Sequence, residues 1–360
     1  MPQETEKRGR IEWLDLGKGF AMALVLLGHS MRDGMRQASP ALDLIYRIVY
    51  IFHMTYFFWM SGCTYSLSRG RGQKPMMAAA RRIKKQLAPW LGYTLFIYAV
   101  FALASRVPGV GGMLREAGYG EMPPGAYLLS AVQANNPFAY HLWFLLVLML
   151  ITLIVALCDA AAGGKRLRAV CAALIAAGVA GLAVRGLAPL GEWYRLFDYL
   201  ALYLPMFCLG VLMADLKPSR GLCWLWGGAG IAYIAVRALY FSGFSGNSLR
   251  TDSAWARFAL YLLADLLLPG VMLLLKRVFE ENILPRTAAA RRFLAWLGRE
   301  SMLIYLVHQP FCCAFLGLVL YNRMKLPPVI VMAACLGASV AVPWAILRIK
   351  TAFTAKRKAR

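Results

Sequence analysis

Ten apolar runs, each about the length needed to cross a bilayer, recur along this chain: Ile11 to Met31, Leu44 to Leu67, Gln86 to Ser105, His141 to Cys158, Ala169 to Ala188, Tyr199 to Ala214, Leu222 to Ser242, Phe258 to Leu275, Met302 to Leu320 and Val329 to Leu347. A helix rises ~1.5 Å per residue, so about 20 apolar residues match the hydrocarbon thickness. The fifth and sixth runs are short for a full crossing, which leaves their boundaries open. Charged residues make up 16% of the chain, against roughly 25% in soluble proteins. The expected fold is all-α: one polytopic transmembrane helical bundle of about ten spans, filling residues 1–360 with no appended soluble domain.

Charge fixes the expected orientation. Sorting the 40 Lys and Arg by alternate sides of the ten runs puts 27 on the side of the N-terminus and ten on the other, counting there Arg185 at the outer end of the fifth run, with Lys18, Arg47 and Arg237 inside spans. The positive-inside rule then makes both termini cytoplasmic: residues 1–10 at one end and a basic tail, 348–360, at the other. The tail suits contact with anionic lipid headgroups. A net charge of +23 raises the question of nucleic acid, but the basic residues fall in short connections between apolar runs and form no separate module, so none is expected as a partner. Nothing ahead of the first run has the layout of a removable signal peptide. The eight cysteines lie within or at the ends of apolar runs without metal-ligand spacing and read as small hydrophobes.

The first run, IEWLDLGKGFAMALVLLGHSM, carries Asp15, Lys18 and His29. Lys18 and His29 are eleven residues apart, which at about 100° per residue returns them to within roughly 20° of each other, with Asp15 some 40 to 60° away. One face carries all three. Ionisable groups inside a span are expensive and by default mark a functional site. The other reading is that Asp15 and Lys18 mark one membrane boundary and His29 the other. In the second run His53 lies about nine residues from the outer end, roughly 14 Å deep, amid the aromatics Tyr50, Phe52, Phe57, Phe58 and Trp59. At that depth a His needs a partner or a cavity.

These stretches resemble the acyltransferase 3 family, integral-membrane O-acyltransferases of cell-surface glycans. Arg10, Trp13, Leu14, Asp15, Lys18, Gly19 and Gly28-His29-Ser30 look like that family's first membrane helix, including a basic residue, ten residues and then His. Lys18 stands where Arg is frequent, and it lacks Arg's planar fork. Tyr50 to Met54 and Phe57 to Gly62 match the aromatic stretch of the second helix. Arg82-Ile83-Lys84-Lys85 before Leu87-Ala88-Pro89-Trp90 is similar to a motif of two basic residues three apart ahead of a Pro-aromatic, which the resemblance associates with the acyl donor; here Lys85 replaces the second Arg. Arg69 to Lys85 holds seven basic residues, a number that positive-inside bias explains equally well. His141 to Leu145 at a span's outer end, and Leu297 to Pro310 with Tyr305 and His308 on one face, are further family-like segments. All four histidines thus fall on such segments.

The resemblance implies transfer of an acyl group, acetyl in the first instance, from cytoplasmic acyl-CoA to a hydroxyl of a cell-surface or lipid-linked sugar, in the plasma or inner membrane. Acyl-CoA is a co-substrate, and no permanently bound cofactor or metal is expected. A His is the usual base near neutral pH. That role falls to His29, with Asp15 and Lys18 shaping its polar face and His53 as second candidate. Arg81, Arg82 and Lys85 are expected to hold the CoA phosphates, which cannot enter hydrocarbon and which Arg grips bidentately. His141, Trp143, Tyr305 and His308 are the expected acceptor side, and the Gly- and Pro-rich loop 106–140 is long enough to take part in acceptor recognition. Asp265 and Arg237 lie within spans and either pair or line a cavity. A different class also accounts for intramembrane His, Asp, Lys and Arg: a transporter or flippase of a polar lipid or glycan. It leaves unexplained the spacing of Lys18 and His29 and the basic cluster beside Pro89-Trp90, and no inverted repeat is visible. A member without activity, acting in a complex, is a third possibility.

Overall fold

The computed structural model describes residues 11–116, 120, 122–184, 191–243, 249–251 and 253–358. Arg10 of the first motif and the end of the basic tail lie outside them. Among the described residues the regular secondary structure is all helix, joined by short turns, apart from one isolated bridge between Ser242 and Leu249. Hydrocarbon offers no water to backbone N–H and C=O groups, and a helix satisfies them within its own segment.

In chain order the helices are α1 (Glu12–Ser30), α2 (Asp33–Ala38), α3 (Pro40–Gly70), α4 (Pro75–Ala104), α5 (Val110–Glu116), α6 (Pro124–Val132), α7 (Trp143–Ala161), α8 (Leu167–Ala183), α9 (Tyr194–Met213), α10 (Arg220–Val236), α11 (Ala254–Glu280), α12 (Ala288–Arg299), α13 (Ser301–Val307) and α14 (Pro328–Lys358). Wider π-helical turns extend α10 over Arg237–Phe241 and α13 over His308–Phe315 and Leu318–Arg323. Among the described residues, eight helical stretches are long and apolar enough to cross a membrane. The other two expected runs are helices as well. They are α1, whose hydropathy is lowered by its own ionisable residues, and α8, which has only 17 residues.

Sequence chemistry sets the starts. Ser39 caps α3, its Oγ accepting from the Leu42 N–H at 3.4 Å, and Pro40 follows at the first helical position, where a missing N–H costs nothing. Ser219, Ser253 and Thr287 cap α10, α11 and α12 in the same way. Pro75 likewise opens α4, eleven residues before the apolar run, so the basic stretch after α3 is not a long connection. Only residues 71–74 separate the two helices, and Arg81, Arg82, Lys84 and Lys85 ride on the first turns of α4. The loop 106–140 likewise contains α5 and α6. Polar-to-apolar composition marks where a helix enters the bilayer, not where it begins.

Helices come together where side chains are absent. A Cβ on Gly62 would overlap the Phe207 carbonyl, and one on Gly210 the Trp59 carbonyl, so α3 and α9 touch backbone to backbone. Gly19 against Leu294, and Gly298 against Asp15, do the same for α1 and the amphipathic α12. Such small-residue crossings are how helices associate where lipid is as apolar as the protein. At the face where α1 begins, polar clamps tie the ends. The buried Lys276 donates from Nζ to the carbonyls of Ala214 (2.6 Å) and Leu216 (3.2 Å), capping α9, and lies 5.3 Å from the Trp13 ring centroid. Arg69 pairs with the fully buried Asp159 at 2.8 Å and donates to the carbonyls of Gln73 and Gly164, locking the α3–α4 turn onto the α7–α8 turn. Three acceptors occupy this guanidinium, so Arg69 serves the fold.

Forcing the α3–α9 crossing apart should cost about 1 to 3 kcal/mol per site. Gly62→Ala and Gly210→Ala are each expected to lower the thermal midpoint of the detergent-solubilised protein. Gly228→Ala, where an added Cβ meets nothing within 4 Å, leaves it unchanged or slightly raised.

Candidate functional site

All four histidines of the chain meet at one place. His29 sits in the last turn of α1, His53 in the middle of α3, His141 in a 3₁₀ turn (Tyr140–Leu142) that leads into α7, and His308 where α13 widens into its π-helical turn. Ring centroids of His29 and His308 are 5.2 Å apart, and those of His141 and His308 5.6 Å. Tyr50 bridges to the fourth: its ring is edge-on to His29 at 5.9 Å and to His53 at 4.9 Å, and its hydroxyl lies 3.3 Å from His29 Nδ1. Tyr305 closes the group from α13. Its hydroxyl donates to the His141 carbonyl, and its ring is 5.2 Å from the His141 ring.

The backbone fixes two of these rings. Pro310 brings no N–H to its helix, and there the ladder slips into π-helical geometry, a departure often found at functional sites. In the turn before it, His308 Nδ1 donates to the carbonyls of Ile304 (3.1 Å) and Tyr305 (2.8 Å). His53 Nδ1 donates likewise to the Val49 carbonyl at 2.7 Å. A carbonyl oxygen only accepts, so in both rings Nδ1 carries the hydrogen and Nε2 carries the lone pair. The His308 Nε2 is buried and makes no hydrogen bond among the described residues. No group of three His, Cys, Asp or Glu among those residues is placed to hold a metal ion.

His29, His53 and His141 line a cavity of about 1090 Å³. Its wall follows α1 from Met22 past Met31, α3 from Phe57 back to Tyr46, and α13 with its extension from Ser301 to Ala314. Thirteen residues of helix are about 20 Å long, so the cavity reaches from the face opposite the N-terminus deep into the bundle. One side is aromatic. Trp143 stacks on Tyr199 at 4.1 Å and on Tyr203 at 5.5 Å, and the Tyr199 hydroxyl bonds that of Tyr140 at the opening. The other side carries Asp33, Tyr46 and Tyr50, backed by the buried Arg36: this pairs with Asp33 (3.2 Å) and Asp43 (2.9 Å), its guanidinium stands 3.5 Å from the centre of the Tyr46 ring, and Tyr46 stacks on Tyr50 at 4.0 Å.

Of the residues singled out in the sequence, His29, His53, His141, Trp143 and Tyr305 line this cavity, and His308 stands behind His29 and His141. Asp15 and Lys18 do not line it. They share a face with His29 but lie eleven to fourteen residues back along α1, roughly 16 to 21 Å away, where that helix packs on α12. Arg81, Arg82 and Lys85 are also elsewhere, near the opposite face. Arg82 is half-buried, donates to Ser68 Oγ at 3.1 Å and lies 5.7 Å from the Tyr65 ring centroid, whereas Arg81 and Lys85 are exposed. Tyr65 is twelve residues from His53 on α3, about 18 Å, and the intervening Phe58, Trp59, Met60 and Cys63 are fully buried. Arg237 and Asp265 are buried together around a separate small cavity with Tyr261. Sequence reasoning placed Tyr50 in a motif but gave it no role, and passed over Tyr199 and Arg36. The i, i+4 series Tyr46, Tyr50 was the available signal for the first.

No curated protein and no solved structure matches this chain. The sequence profile of the acyltransferase 3 family, described as an acyltransferase domain, matches residues 11–348, nearly the whole chain. With eight apolar helices long enough to span, this multi-pass membrane protein belongs to the acyltransferase 3 family.

Proposed function

We propose that the protein transfers an acyl group, acetyl in the first instance, from cytoplasmic acyl-CoA to a sugar hydroxyl on the far side of the plasma or inner membrane. The observation that carries this reading is the convergence of four histidines from separate helices on one deep cavity. An acyl transfer to a hydroxyl needs a base to take the hydroxyl proton as the oxygen attacks the thioester carbonyl. The C–O bond forms, the C–S bond breaks, and the proton passes to the leaving thiolate. Imidazole is suited to both halves, since it takes up and releases a proton near neutral pH.

His29 is assigned as that base. It is half-buried and lines the cavity, whereas His308 stands behind it. The Tyr50 hydroxyl can accept from His29 Nδ1–H, and in that tautomer Nε2 holds the lone pair that takes the proton of a sugar hydroxyl. His53 Nε2 is the second candidate. His308 supports the ring from behind, and His141, Trp143 and Tyr305 line the acceptor's side. Asp15 and Lys18 act on the helix that carries His29 and not on the reacting atoms.

The donor is assigned to the other face. Positive-inside bias makes the face with Arg81, Arg82 and Lys85 cytoplasmic, where CoA is. Arg82, oriented by Ser68 and Tyr65, is the phosphate grip, with Arg81 and Lys85 adding charge at the surface. The uncharged pantetheine arm then runs inward towards the histidines. Because the stretch from Phe58 to Cys63 is packed, donor entry requires side chains there to move.

Two outcomes test this. His29→Ala should insert and fold normally while transfer of label from acetyl-CoA by the purified protein falls about 10² to 10⁴-fold, the usual loss for one general base; full activity removes His29 from the mechanism. In the basic stretch, Arg82→Lys keeps the charge and loses the fork. It should raise KM for acyl-CoA and leave that for the acceptor nearly unchanged, while Arg71→Lys outside the motif is silent. Equal behaviour of the two would make the cluster topogenic only.

A further inference from the structure

We infer that the acceptor carries a negatively charged group, a phosphate ester or a carboxylate, held at the mouth of the histidine cavity while the sugar ring lies against its aromatic wall. This rests on the acyl-transfer reading for the identity of the bound molecule.

Three cations from three separate stretches line the opening: Arg32 just after α1, Arg195 in the first turn of α9, and Lys325 between the π-helical turns and α14. This is the face that carries only ten of the 40 Lys and Arg. Topology disfavours cations here, so bringing three of those ten to one opening has another cause. Two are held in place. Arg32 Nη1 donates to the Ala314 carbonyl at 3.0 Å, and the Arg195 guanidinium lies 5.6 Å from the centre of the Tyr140 ring. Arg195 and Lys325 are both exposed, and neither makes an ion pair among the described residues. Two carboxylates share the lining: Asp33 is paired with Arg36 at 3.2 Å, and Asp198 stands about one turn deeper on α9 than Arg195.

The spacing decides what the cations are for. Arg195 and Tyr199 are four apart on α9 and face the same way, roughly 5 to 6 Å between them. Tyr199 and Trp143 form the flat wall on which the C–H face of a sugar ring packs. An anion one turn outward of that wall is therefore attached to the ring itself or to its anomeric oxygen. Arg takes either a phosphate or a carboxylate through its fork, and Lys325 adds a point charge.

The test is binding, measured as the thermal midpoint of the full-length protein in lipid nanodiscs. It is titrated with a hexose 1-phosphate, a hexuronate and a neutral methyl hexoside. At least one anionic probe should half-saturate at a roughly ten- to hundredfold lower concentration than the neutral glycoside, as charge-assisted hydrogen bonds allow. Arg195→Gln with Lys325→Gln should erase the difference, and Arg82→Gln, at the donor face, should keep it. Preference for the phosphate alone points to a sugar phosphate, and preference for both anions to any acidic sugar. Equal response to all three probes, no response to the anions, a preference that survives the double substitution, or one that Arg82→Gln removes would each overturn the inference. His29→Ala should retain the preference, so loss of the base assignment and loss of this one are separately visible.

Discussion

A buried imidazole must have its polar atoms answered, and in a bundle surrounded by hydrocarbon the answer has to come from the protein. That requirement governs the site. His53 and His308 each spend one nitrogen on a backbone carbonyl four residues back, Val49 and Ile304, with Tyr305 sharing the second bond. The price is local: the helix carrying His308 takes Pro310 and loses its regular ladder. What is gained is two rings, each with Nδ1 committed to the backbone and Nε2 left over. Tyr50 and Tyr305 complete the set by holding His29 and the His141 backbone. If one of these rings moves a proton, partners of this kind leave it little to reorganise.

The same constraint separates the molecule into two ends. Near the face where α1 begins, Arg69, Lys276 and Asp159 are consumed by helix-end carbonyls and one another, which distinguishes them from Arg82, whose side-chain partners are a hydroxyl and an aromatic ring. Near the other face the cavity is wide, aromatic on one side and polar on the other. Between them α3 is packed with large buried side chains. A membrane that must not leak protons or solutes favours such a plug, and in the proposed reaction, with donor and acceptor on opposite sides, it has to open only as far as an uncharged arm requires.

Much of this was legible in the residues. The ten apolar runs became ten helices because hydropathy at this length leaves the chain few alternatives, and the helical spacing of Tyr305 and His308 put them at one site. His53 was flagged by its depth and by the family-like aromatic stretch around it, and the structure supplies the partner that depth demanded. The stripe of Asp15, Lys18 and His29 was correct as angle and incomplete as geometry: a shared face says nothing about height, and roughly 20 Å of helix separates its ends. Helix starts were not legible where a helix begins outside its apolar run, as α4 does at Pro75. The amphipathic α12 escaped because its apolar residues are too few for a span, and its docking depends on Gly19 and Gly298, which no one-dimensional pattern pairs. The cations at the cavity mouth could not be read either, since Arg32, Arg195 and Lys325 meet only in three dimensions.

In the proposed reaction the thioester reaches the four histidines from the face that bears Arg82. An acyl-CoA analogue with a photoreactive group at the end of its acyl chain measures this directly, by cross-linking to the purified protein and mapping of the labelled peptides. Label is expected on the cavity wall, within residues 22–34, 46–57 and 301–314, abolished by excess acetyl-CoA. Label confined to residues 71–90 at the opposite surface, with none on the cavity wall, would contradict it.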